Sequence, residues 1–274
     1  VRAYAIYGGT PAYLHTLQPQ QSLRENILDG ILSRGSFLYD EVRFVLQQEL
    51  REPRNYFAIL QAIAAGKTRL NEIKQATGIE GATAYLDTLQ QLHLVERVVP
   101  VTETQPHKSR RGIYRLKDHY LRFWFRTVHP NRSQLERGGA QMILENQVIP
   151  EIDHFTSLTF EEVCQQTFWQ AGLSGKLPFT PNKVGSWWNA NEEVDVVVLG
   201  ETDALLAECK WTSKPVGVDI LAELERKSNR VRPELENRPI RLALCARSGF
   251  TPQLMAAVEA RTDVMLFDLT DIVA

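Results

Sequence analysis

The sequence predicts a multi-domain α/β protein, helical in its first half and mixed in its second. Three observations carry this. Apolar residues recur three and four apart through the early chain, as they do on amphipathic helices. Two short strand-like runs then flank a polar loop. From about Leu158 onward, valine- and leucine-rich runs alternate with amphipathic stretches, the pattern of a mixed sheet covered on both faces. The chain has 274 residues, 43% of them hydrophobic and 23% charged, which is enough for more than one core and too apolar for disorder.

Residues 1–50 read as a helical segment. After a Gly-Gly-Thr-Pro turn at 8–11, "SLRENILDGILS" and "LYDEVRFVLQQEL" have helical spacing. Residues 51–130 read as a second unit. "YFAILQAIAAG", "LNEIKQATG" and "GATAYLDTLQQLHLV" make three short helices, and "VERVVPV" and "GIYRLKD" make a hairpin around "TETQPHKSRR". Three helices followed by a hairpin describe a winged helix. "YLRFWFR" reads as a packing stripe, with Leu121, Trp124 and Phe125 inward and Arg122 and Arg126 outward. Residues 131–157 form a helical connector, and the helical stretch that leads through it from His119 is interrupted at Pro130 and at Gly138-Gly139.

Residues 158–274 hold the mixed sheet. A helix over "TFEEVCQQTFWQAG" precedes strands at "KVGSWWN", "EVDVVVLG" and "LLAECKW". The helix "GVDILAELERKSNRV", the strand "PIRLALCA", the helix "TPQLMAAVEA" and the strand "VMLFDLTDI" follow. The helix "TFEEVCQQTF" has Phe160, Cys164 and Phe168 as its buried stripe. Trp187 and Trp188 project to opposite faces, one into the core and one near the other face.

Charge excludes some functions. The net charge is −2, so no general attraction to nucleic acid or to an anionic membrane follows, and local patches must carry any such case. No run approaches the roughly 18 apolar residues of a membrane span, and the first residues given lack the charged and apolar regions expected of a signal peptide. Cys164, Cys209 and Cys245 are few, widely spaced and set in apolar runs, which reads as reduced core cysteines in a cytoplasmic protein. Nothing in the residues points to haem, flavin, zinc or a nicotinamide cofactor.

Acids inside apolar strands are the informative feature. Glu208 and Lys210 share one face of their strand, about 7 Å apart, and Asp195 stands one strand earlier across the turn at 200–202. Two converging carboxylates repel unless a cation joins them, and hard oxygen ligands suit Mg²⁺ or Mn²⁺. Lys210 beside them would stabilise charge developing on a phosphate. The alternative is structural: Asp195 capping a bulge, and Glu208 paired with Lys210 or Arg241.

The spacing D-x(12)-E-x-K on adjacent strands resembles the core motif of the PD-(D/E)XK nuclease superfamily, with Val194 in place of the proline. In that superfamily, whose fold is restriction-endonuclease-like, a preceding helix contributes another acid, and the resemblance assigns that role to Glu161 or to Glu162. With "YAIYGGTPAYL", "IYRLKDHYLRFWFRTVHPN", "FEEVCQQTF", "VGSWWN", "EVDVVV" and "ECKW", almost the whole chain is similar to the C-terminal portion of archaeal-type P-loop ATPases. The resemblance implies a lid segment, a winged helix and a nuclease-like terminal domain behind a nucleotide-binding half that is missing here. The partner ATPase part would set any oligomer. "QAIAAGKT" ends like a phosphate-binding loop, but Gln61 replaces the first glycine and a helix precedes it, so no ATP site is expected here.

The recognition-helix face offers Thr83, Asp87, Gln90 and Gln91 and no cation, which is poor equipment for phosphate contact. The wing offers His107, Lys108, Arg110 and Arg111, as a DNA clamp or as a solvated loop. A second basic group, Arg226, Lys227, Arg230 and Arg232, follows the E-x-K strand, diluted by Glu223, Glu225, Glu234 and Glu236. Two functions are expected. The first is a metal-dependent DNA endonuclease, with Asp195, Glu208 and Glu161 on Mg²⁺ or Mn²⁺ and Lys210 at the transition state. The second is a catalytically inert module that binds DNA or a partner protein and regulates the ATPase.

Overall fold

The computed structural model describes residues 1–50 and 53–273. It divides into two compact units: residues 1–98 with 112–152, and residues 99–111 with 153–274. This differs from a four-part division by sequence position. The loop expected to be a wing belongs with the second unit, and one continuous helix crosses the expected boundary at 157/158.

In the first unit, α1 (Arg2–Tyr7) and α2 (Pro11–Leu14) flank the glycine turn. The stretch before that turn is thus already helical, because Ala5, Ile6 and Tyr7 are buried and α1 packs on α8. α3 (Leu23–Ile27) begins at Ser22 with a full capping box to Glu25 and runs on through a π-turn at Leu28–Leu32; α4 (Phe37–Glu49) follows. α5 (Pro53–Ala64), α6 (Leu70–Thr77) and α7 (Ala82–Gln91) precede the antiparallel pair β1 (Val95–Val98) and β2 (Ile113–Leu116), the order expected of a winged helix. Gly66, at φ 85, turns the chain just after α5, so "AAGKT" is a helix end.

α8 (His119–Leu135) continues through Pro130, contrary to the expected interruption. Its buried residues include Tyr120, Leu121, Phe123, Trp124, Phe125, Val128 and Leu135, whose burial outweighs the roughly 3 kcal/mol of an internal proline. Gly138, at φ 84, does break the chain, before α9 (Ala140–Ile143) and a π-turn at Leu144–Val148 lead into α10 (Ile149–Leu173).

The second unit is a five-stranded mixed sheet in the order β3-β4-β5-β6-β7, with β4 (Glu193–Leu199) antiparallel to both its neighbours, β3 (Lys183–Trp188) and β5 (Ala204–Lys210). β6 (Ile240–Ala246) and β7 (Val264–Asp268) continue parallel to β5. α11 (Val218–Val231) links β5 to β6 as a crossover, and α12 (Pro252–Val258) links β6 to β7. On one face, Leu221, Leu224 and Val231 of α11 pack on Val197, Leu206, Leu242 and Trp187. The other face takes the α10 stripe Phe160, Cys164 and Phe168; Phe160 meets Trp211 and Phe168 meets Phe267. This is the mixed α/β arrangement, a sheet with helices on both faces, that the alternating pattern predicts. The expected last strand is shorter: Leu269–Val273 forms α13, opened by Asp268 and Asp271 bonding backbone N–H groups at the turn.

The loop 99–111 is fastened within the second unit. Val101 donates its N–H to the Ser186 carbonyl at 2.9 Å, and the Trp188 indole donates to the Arg111 carbonyl at 3.2 Å. Both tryptophans of β3 are buried, Trp187 in the α11 core and Trp188 against this loop, so neither presents a ring for base stacking.

Candidate functional site

β4 and β5 pair regularly from Leu199↔Ala204 to Val196↔Ala207 and then part. Beyond that point the Asp195 carboxylate, not a backbone carbonyl, accepts the Cys209 N–H at 2.8 Å. A side chain has taken over a ladder bond, and the strands diverge where the acids sit.

Asp195 and Glu208 are 8% and 3% exposed, so each carboxylate has left water at a cost of several kcal/mol, roughly. Two ammonium groups offset that cost. Lys210 Nζ lies 2.7 Å from Glu208 Oε2 and 3.9 Å from Asp195 Oδ2, and Lys227 Nζ lies 2.7 Å from Glu208 Oε1. Asp195, Glu208 and Lys210 thus meet, as their spacing predicts. The structural alternative is present in half: Glu208 pairs with Lys210 but not with Arg241, which pairs with Asp203 instead.

Lys227 was expected on a nucleic-acid patch and instead completes this cluster. The signal was readable: Lys227 is three residues after Leu224 and four before Val231, on the buried stripe of α11. Burial, and then the nearby Glu208, push Asp195 up to about 6 despite Lys210, the Cys209 N–H and Lys227. Burial opposes the Lys210 charge, but Asp195 and Glu208 more than offset it and hold Lys210 above its ordinary value.

A pH dependence follows. The folded value of Asp195 lies above its ordinary 3.8, so its contribution to stability is full below about pH 4 and is lost as pH rises through 6. Asp195→Asn is expected to flatten the difference in unfolding free energy, measured by urea titration, between about pH 4.5 and 7.5, by an amount on the order of 1–3 kcal/mol. An unchanged pH slope would contradict the burial assigned to this carboxyl.

α10 approaches the same end of β4. Gln165 Nε2 donates to the Asp195 carbonyl at 3.3 Å. Glu161 and Glu162 lie four and three residues before Gln165, about 40° to one side of it and about 60° to the other around the helix. Both are half-buried, and among the described residues neither joins Asp195 and Glu208 in a three-acid group at ligand distance. Asp153, at the start of this helix in the second unit, accepts from Trp211 Nε1 at 3.1 Å and from Arg247 at 2.9 Å, anchoring α10 at the end of β5.

The remaining basic residues divide. Arg111 bonds Glu103 at 2.7 Å and Glu234 at 2.9 Å, and Arg226 is paired with Glu223 and Glu192, so both are occupied with acids. Lys108, Arg110 and Arg230 are exposed. On the predicted recognition helix, Thr83, Asp87 and Gln91 are exposed as well.

Two converging carboxylates are the donor set that Mg²⁺ or Mn²⁺ takes. The fit requires an exchange, because both Glu208 oxygens carry a lysine and a divalent ion would displace one of them. No helix among the described residues is long and apolar enough to cross a membrane.

Residues 124–229 match a family described as archaeal and bacterial proteins of unknown function. An uncharacterized protein of Methanocaldococcus jannaschii is 34% identical over 216 residues, which are 77% of this chain and 47% of that protein. The chain therefore spans about half the length of the curated relative it matches. Among solved structures, Can2 from Sulfobacillus thermosulfidooxidans, in complex with cyclic tetra-adenylate, is 13% identical over 83% of this chain and 52% of its own, with a TM-score of 0.27. A Vibrio cholerae protein is 14% identical over 84% of this chain and 52% of its own, with a TM-score of 0.28.

Proposed function

We propose that the second unit is a divalent-metal-dependent phosphodiesterase acting on DNA. The observation that carries this reading is the convergence of Asp195, Glu208 and Lys210 at the point where β4 and β5 part. Asp195 and Glu208 would hold Mg²⁺ or Mn²⁺, with Glu161 assisting from α10. The ion would supply a water activated at neutral pH and a counter-charge for the phosphate. Lys210, held charged by its two acids, stabilises negative charge building on the phosphorus oxygens. Lys227 occupies Glu208 Oε1 until the ion enters. Exposed Lys108, Arg110 and Arg230 supply phosphate contacts.

The experiment is incubation of the chain with supercoiled plasmid and with single-stranded DNA, in Mg²⁺, Mn²⁺ or excess chelator. Metal-dependent cleavage that chelator abolishes is expected; intact DNA under every condition contradicts a self-sufficient nuclease. For binding, Lys108→Ala with Arg110→Ala is expected to lower DNA affinity and reduce the salt slope by about 1–2. Arg111→Ala is expected to leave that slope alone and to make loop 99–111 more protease-sensitive, since its partners are Glu103 and Glu234. Equal slope changes for both variants would refute the division.

A second reading is favoured by the two lysines on Glu208. They satisfy the acid without any ion, as in an inert scaffold that binds nucleic acid or a protein and signals to an ATPase part elsewhere in a longer protein. Lys227→Ala separates the readings. In a nuclease it frees Glu208 Oε1 and lowers the metal concentration for half-maximal cleavage several-fold; in a scaffold it changes only stability.

A further inference from the structure

All three cysteines of the chain meet at one point in the second unit. Cys164 lies on the buried stripe of α10, and Cys209 and Cys245 are direct register partners on the parallel strands β5 and β6. Their Sγ atoms lie within 4.8 Å of one another, and the three residues are 0%, 6% and 1% exposed. Strand alternation sends Glu208 and Lys210 to one side of β5 and Cys209 to the other, so this cluster is separate from the acidic site. Core packing asks only for small apolar volume here, which alanine or valine supplies as well. It does not ask that every thiol in the chain converge from three separate elements.

We propose that Cys164, Cys209 and Cys245 form a buried three-sulfur site for a soft d¹⁰ cation, Cu(I) in preference to Zn(II). Thiolates select soft ions by their polarizability, and both ions accept sulfur. Coordination number separates them. Structural zinc closes a tetrahedron with four ligands. Among the described residues this group has three sulfurs and no fourth His, Cys, Asp or Glu atom beside them. Cu(I) is content with three. Each sulfur that becomes a thiolate releases its proton to solvent, so affinity rises with pH. Burial between α10 and the sheet shelters the ion from water and oxidant, and it requires loading either as the chain folds or when α10 opens. Because the Cys209 N–H also holds Asp195, an ion on Cys209 would stiffen the strand that carries the acids.

The test uses the 274-residue chain, reduced and anaerobic, titrated with Cu(I) against a competing Cu(I) chelator and, separately, with Zn(II) against a zinc chelator. Ions are added both to native protein and during refolding. One Cu(I) per chain, three sulfur ligands by X-ray absorption, and an unfolding midpoint that rises with ion are expected. Cys164→Ala and the volume-conserving Cys245→Ser are each expected to weaken Cu(I) binding about 100-fold or more, with folding checked by circular dichroism. The coordination number of the wild-type protein stands whether or not either variant folds. The proposal is overturned by no Cu(I) binding by either route, by fewer than three sulfur ligands, by Zn(II) binding as tightly, or by binding that survives the cysteine substitutions.

Discussion

Glu208→Gln is expected to cut metal-dependent DNA cleavage by at least about 100-fold while the fold persists. The substitution keeps shape and removes one charge, so it strips away a hard anionic ligand and the anchor of two ammonium groups at once. Lys210 and Lys227, each 2.7 Å from a Glu208 oxygen, would face a neutral amide. Part of the effect is therefore structural: truncating one partner of a buried charge network commonly costs about 3–5 kcal/mol, so activity must be measured well below the variant's unfolding midpoint. Lys210→Ala is expected to lose cleavage to a similar degree with metal binding retained, because it acts on the phosphate rather than on the ion. If the groups act as one unit, the double variant is scarcely worse than either single one. Near-wild-type cleavage by folded Glu208→Gln would remove the nuclease reading and leave the scaffold.

Trp124→Ala is expected to cost about 3–5 kcal/mol of stability. Trp124 is fully buried in the first unit, its ring packs edge-on against Phe125 and Phe57, and its indole N–H donates to the Tyr39 carbonyl at 2.8 Å. The substitution removes the packing and the indole's hydrogen bond to that carbonyl of α4. Trp124→Phe keeps most of the burial and loses chiefly the hydrogen bond, at about 1 kcal/mol. Urea unfolding followed by circular dichroism should rank wild type, Phe and Ala in that order. A small loss for Ala would mean that α8 and α4 do not depend on this contact.

How much of this was legible from residues varies with the physics involved. Period and composition located the three short helices, the hairpin and the mixed sheet, because these follow from local spacing of apolar groups. The stripe Phe160, Cys164 and Phe168 was correct for the same reason. Pro130 misled because its penalty is local, while the burial that overrides it comes from distant elements. The tail 269–273 misled because a strand-like run was capped by its own aspartates. Arg111 looked like a free cation until Glu234, far along the chain, was seen to bond it.

The sequence by itself determined which residues carry charge in the core strands, and the alternation that puts Glu208 with Lys210 and turns Cys209 away, since side-chain direction in a strand depends only on parity. The tertiary structure alone decided what those groups meet. The parting of β4 from β5 at Asp195, the arrival of Lys227 from α11 and the convergence of three thiols all depend on register between elements. Register is set by packing of the whole sheet rather than by any local stretch.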